Sequence, residues 1–284
     1  MKTVLALIVL ALCSVAFAQA PSPASTGNQL QTAALLAQKN GALIRPFSSA
    51  DCVFTFTSGT SNTFLKYCVT ATGNVTVFET PAGHEHIAVG RDGEGYGICD
   101  ITTNLAYDDY AEFGDSGNWG PPTVVNQTAT SVKIARTTSD QVWTLTQTFT
   151  QIAGSLPSLK IAMVIRNNSN VDRRVSLLRY VDVDADGAAL NNLDATANSA
   201  FGWNSISANG GGGPFGLLLE NIGTVPLFNV GFVQNAPDPP NPCNPVTHFI
   251  AGPARSIDGS LVMFYAMTVP KSSSVTVTVG YTGM

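Results

Sequence analysis

Three aspartates at alternate positions, Asp182, Asp184 and Asp186, are followed at once by Gly187. Calcium gathers carboxylates from alternate positions of a short loop and takes a glycine next for the sharp turn. The stretch "VDVDADGAALNNLDAT" supplies that first half and departs from the second. Leu193 stands where the bidentate glutamate of an EF-hand belongs, and the residues before the loop read as a strand, not a helix. Asn191, Asn192 or Asp194 could take that place if the loop bends differently, and with Asp194 the strand-borne calcium site is Asp182, Asp184, Asp186 and Asp194. Beside it stands a plainer reading, a solvated turn whose aspartates bond their own backbone.

A second concentration of chemistry lies between residues 79 and 119. Nine of the chain's 19 acidic residues fall there, with Arg91 as the one basic residue. Tyr96, Tyr107, Tyr110, Phe113 and Trp119 are interleaved with them. Aromatic faces stack on sugar rings, and carboxylates accept hydroxyl hydrogen bonds or act as acid and base. One reading is therefore a carbohydrate-contacting surface, with Tyr96, Tyr107, Tyr110 and Trp119 as the ligand-binding aromatics. The other is an acidic solvated edge whose aromatics belong to the core.

For catalysis, Glu94 and Glu112 form the candidate glycosidase dyad, and His84 and His86 of "GHEH" are further candidates. On a strand both imidazoles face one side, within reach of one metal, although His248 would have to arrive from far along the chain. Histidine pairs on strands are also ordinary polar-face residues. "GDSG", residues 114–117, resembles the string around the nucleophile of trypsin-like proteases, but His86 lies too close before Ser116 for that architecture. A turn is the simpler reading.

The elements that must position these groups are strands. From about Arg45 onward, runs such as "CVFTFTSG", "SVKIART", "QVWTLTQTF", "SLKIAMVIRNN" and "SVTVTVGYTG" alternate apolar and polar residues and end at Gly, Asn, Asp or Pro. Period-two alternation with β-branched content predicts half-buried strands. In "QVWTLTQTF", Trp143, Leu145, Gln147 and Phe149 share the predicted core face. The closing strands, Leu261–Val269 and Val275–Tyr281, read as a hairpin around "PKSSS".

One helix is expected near the N-terminus, over "NQLQTAALLAQKNG". The fold class that follows is all-β: a large antiparallel two-sheet β-sandwich with a short N-terminal helix, packed as one domain over residues 45–284. Residues 209–216 and 235–245 are Gly- and Pro-rich and read as surface connections.

The first residues, "MKTVLALIVLALCSVAFAQA", read as a secretory signal peptide over 1–18, with residues 19–44 as linker and helix. A secreted protein, periplasmic or extracellular, is the expected localisation, with no membrane span. Four cysteines remain after cleavage and favour disulfides in an oxidising compartment. Of the three pairings, Cys52–Cys68 with Cys99–Cys243 is preferred, the first closing a hairpin-sized loop. Without Lys2 the 14 basic residues fall to 13 against 19 acidic ones, and no basic run occurs. Nucleic acid is thereby disfavoured as a partner.

The segment "TLTQTFTQIAGSLPSLKIAMVIRNNSNVDRRVSLLRYVDVD" resembles the two-sheet domains of galactose-mutarotase-like and polysaccharide-lyase proteins. The chain also resembles a group of secreted bacterial proteins through "PAGHEHIAVG", "EGYGICD", "FGDSGNW" and "TVTVGYTGM". Those likenesses imply export and a β-sandwich and bring no catalytic motif. The leading expectation is a secreted non-catalytic protein that contacts a polysaccharide or other glycan, with structural calcium. Two alternatives stay open: a carbohydrate-active lyase, hydrolase or epimerase, and a structural envelope or matrix protein. The oligomeric state is not legible.

Overall fold

The computed structural model describes residues 52–87, 93–111, 113–204, 214–224, 228–235, 238–250 and 252–284. The expected signal peptide, linker and N-terminal helix lie outside them, as does Glu112. Strands are written β1 to β18 in chain order. Nine form one antiparallel sheet: β16 (Ala254–Ile257), β12 (Asn191–Thr196), β13 (Ser199–Trp203), β14 (Gly216–Asn221), β18 (Ser274–Gly283), β10 (Ser158–Asn167), β9 (Trp143–Ile152), β8 (Ser131–Thr137) and β7 (Thr123–Gln127). Six form a second: β15 (Phe228–Gln234), β17 (Ser260–Val269), β11 (Arg173–Asp182), β4 (Glu94–Asp100), β5 (Leu105–Tyr110) and β6 (Gly114–Asp115). A three-stranded sheet, β1 (Cys52–Ser58), β2 (Leu65–Thr70) and β3 (Val75–Glu79), packs into the same core.

Alternation builds these layers. On β9, Trp143, Leu145 and Phe149 are buried with Gln147, as expected, while Thr144, Thr146 and Thr148 face outward. On β10, Leu159, Ile161, Met163 and Ile165 meet Leu177 and Val181 of β11 in one hydrophobic cluster. Each such side chain, fully buried, contributes about 1.5–3 kcal/mol of apolar transfer free energy. The expected all-β antiparallel sandwich is therefore what forms.

The closing pair corrects the hairpin expectation. β17 pairs with β11 and β15, whereas β18 pairs with β10 and β14. The turn around "PKSSS" thus crosses from one sheet to the other. Both strands carry a buried apolar row, Leu261, Met263 and Tyr265 on one, Val277, Val279 and Tyr281 on the other. Placed in opposite sheets, those rows face a shared interior.

The preferred disulfides are present, Cys52–Cys68 and Cys99–Cys243, the first bridging the β1–β2 hairpin. No helix among the described residues is long and apolar enough to cross a membrane.

A carboxylate pocket under a proline-rich loop, the candidate functional site

The acidic stretch between 79 and 119 folds largely inward. β4 sends Glu94, Tyr96, Ile98 and Asp100 toward the interior, and β5 sends Tyr107 and Asp109 the same way. Glu94 is fully buried and paired with Arg179, itself fully buried. Its carboxylate also accepts the Tyr281 hydroxyl at 2.6 Å and the Val75 amide at 2.6 Å. Arg179 further donates to Gln147 at 2.6 Å and to the Gly73 carbonyl. Asp109 is held by Arg136 and by the Asn74 side chain at 2.8 Å, and Arg136 also binds Asp115 at 2.7 Å. Asp100 completes the set with Arg173 at 2.6 Å.

This network surrounds Glu94, one of the catalytic candidates. Burial raises its carboxyl above the ordinary value, while Arg179, Tyr281 and the Val75 amide work in the opposite sense. Both of its oxygens are engaged and the residue is fully buried. Tyr96, Tyr107 and Trp119 are likewise 7% exposed or less and pack ring against ring inside the sandwich. Strand alternation is the reason: the residues that carry hydroxyl and ring lie on the same face as the core aliphatics. Of the four aromatics expected to meet sugar, Tyr110 alone lies on the other side of its sheet.

The histidine pair separates. His84 Nδ1 lies 2.8 Å from Asp186 and its ring stacks on Phe215 at 3.7 Å. His86 is buried, its Nε2 2.7 Å from the Thr80 carbonyl, and burial holds its pKa below the usual value. His248 is exposed. "GDSG" begins as strand β6 and bends at Gly117, with Ser116 Oγ bonded to Asn118 and Asp115 holding Arg136.

Among the described residues, the group of three or more ligating side chains close enough to hold a metal ion is Asp182, Asp184 and Asp258, with oxygens within 4.8 Å of one another. Asp182 and Asp184 were expected; Asp258 was not, because it arrives from the turn between β16 and β17. Asp186, at a left-handed φ of 55°, turns toward His84, and Asp194 is exposed and accepts the Ala195 amide.

The outward face of the six-stranded sheet carries the pocket. Gly95 and Gly97 alternate with Cys99 along β4, and a Cβ on Gly97 would lie 2.8 Å from Pro242. That closeness lets residues 238–245 lie on the sheet, stapled by Cys99–Cys243. Tyr110 donates to the Pro240 carbonyl at 2.7 Å and Ser176 to the Pro242 carbonyl at 3.1 Å. Beneath the loop, Tyr110, Leu178, Tyr180, Phe232 and Val262 form a second hydrophobic cluster. At its rim opens a pocket of about 340 Å³, lined by Asp108, Tyr110, Phe113, Asp238, Pro239, Pro240 and Asn241. Phe113 is 45% exposed there. Burial lifts Asp108 to about 7, with Asp109 and Asp115 adding repulsion. Asp108, Phe113 and Asp238 are functional candidates that sequence reasoning missed, although the first two lie in the acidic, aromatic stretch it marked.

No family model matches the chain, and no curated protein matches it. Its fold is similar to that of a bacterial glucoamylase complexed with acarbose, with a TM-score of 0.57 at 10% identity, covering 84% of this chain and 32% of that one. The chain thus spans about a third of that enzyme's length. Further matches are a galactose mutarotase-like protein from Lactobacillus casei ATCC 334 (TM-score 0.48, 10% identity, 81% of this chain and 100% of that one) and a heparan sulfate lyase mutant from Pedobacter heparinus (0.46, 8%, 90% and 42%). At these identities the likeness is one of fold.

Proposed function

We propose that this is a secreted carbohydrate-contacting protein and that the contact is made in the pocket between β5 and the proline-rich loop. The observation that carries the reading is the composition of that pocket. It combines two carboxylates, an exposed phenylalanine ring and proline carbonyls in one concavity. Carboxylates and carbonyls accept hydroxyl hydrogen bonds, and an aromatic ring covers the apolar face of a sugar. The sandwich fold shared with a glucoamylase chain supports the same direction.

Binding without catalysis is the form proposed, because the inward carboxylates of Glu94 and Asp109 are committed to arginines. Asp182, Asp184 and Asp258 are proposed to hold calcium as a structural ion, since a hard cation suits an all-carboxylate set. A glycan array tests the binding reading, followed by titration of Phe113→Ala and Asp108→Asn. Binding to at least one polysaccharide, weakened about tenfold or more in both variants, is the expected result. Absence of binding across all glycans would remove the proposal.

A further inference from the structure

Five carboxylates lie on β4, β5 and β6, and four of them, Glu94, Asp100, Asp109 and Asp115, each hold an arginine. Asp108 is the exception. Its backbone bonds Ser116 and Trp119, but among the described residues its carboxylate makes no hydrogen bond and no ion pair. That carboxylate opens into the pocket, which Asp238 shares and which, among the described residues, no lysine or arginine lines. Apart from the Asn241 side-chain amide, the remaining polar side chains and proline carbonyls there are acceptors. Pro239 and Pro240 have carbonyls but no N–H to donate. The Tyr110 hydroxyl is already spent on Pro240. A neutral sugar brings hydroxyls that donate and accept alike, and among the described side chains of the lining the Asn241 amide is the group left to donate back to them. An ammonium brings three donors and no acceptor. It also supplies the charge that a desolvated carboxylate lacks, and exposed aromatic rings attract cations.

We infer that the group this pocket takes is an ammonium, carried on an amino sugar that lacks an N-acetyl group. The inference rests on the glycan reading above and narrows it to a substrate class.

Isothermal titration of the whole protein separates the two claims, using a glucosamine hexasaccharide, its fully N-acetylated counterpart and a glucose hexasaccharide. The expected result is that the amino form binds at least about tenfold tighter than either neutral form. Asp108→Asn, isosteric and uncharged, is expected to erase that preference, and Phe113→Ala, at an exposed position, to reduce it. Equal binding of all three sugars would overturn the ammonium and leave the glycan reading standing. No binding by any of them would overturn the ammonium, and the glycan array would then decide whether the glycan reading stands. A preference that survives both substitutions would be diffuse attraction between a polycation and an acidic protein, and it too would overturn the inference. So would tight binding of a lysine-rich peptide with none of the amino sugar, since the amine would then belong to a protein.

Discussion

Two neighbouring aspartates in "LAYDDY" meet opposite fates because a strand alternates. Asp109 points inward to Arg136, and Asp108 points outward to the pocket. Their chemistry then differs in a measurable way. Asp108 titrates near 7 in the folded protein, whereas an unfolded aspartate ionises near 3.9. Between those values the folded chain holds a proton that the unfolded chain has released. Stability from neutral Asp108 is therefore complete below about pH 4 and lost as pH rises through about 7. Asp108→Asn is expected to stabilise the protein by roughly 1–4 kcal/mol above that range and to change nothing below it. Thermal melts of both proteins across pH read this directly, and parallel curves would contradict it. Glu94→Gln tests the interior instead. It leaves Arg179 buried without its counter-ion and is expected to cost on the order of 3–5 kcal/mol in urea unfolding. None of this pairing was legible in the sequence. A tally of carboxylates between 79 and 119 shows nine acids and one arginine, while Arg136, Arg173 and Arg179 arrive from strands far along the chain.

The elements themselves were easier to foresee than their partners. "QVWTLTQTF" announced both its strand and its buried face, because period two is written locally. Sheet membership is not local, so two strands joined by a four-residue turn read as a hairpin although they belong to opposite sheets. The same limit hid Asp258, which sequence spacing could not bring beside Asp182 and Asp184. For that cluster, EDTA is expected to lower the melting temperature, and Asp184→Ala to abolish the difference. An unchanged melt on chelation would remove calcium from the account. The proline-rich loop is the other element to test. Its covalent tether to the sheet is Cys99–Cys243, with two hydrogen bonds from Tyr110 and Ser176 beside it. Replacing both cysteines by serine is expected to weaken glycan binding about tenfold or more while the far-UV circular dichroism stays that of a sandwich. Undiminished binding would show that the loop does not form the pocket wall.

At the scale of the whole molecule, the sandwich divides its polar groups by side. The interior holds arginine–carboxylate clamps that join the six-stranded sheet to the nine-stranded one and to the turn before β3. The outer face of the six-stranded sheet keeps glycines where the loop must lie close and carboxylates where a ligand can reach. Composition and alternation were enough to expect the all-β class. They did not say which side of a sheet would be covered, because that depends on where a distant, proline-rich loop is stapled. The most direct measurement is a crystal structure of the protein with the tightest-binding oligosaccharide. The sugar is expected between Phe113 and Asp238, with a donor on Asp108. A sugar seated on any other surface, with the pocket holding only water, would contradict the account.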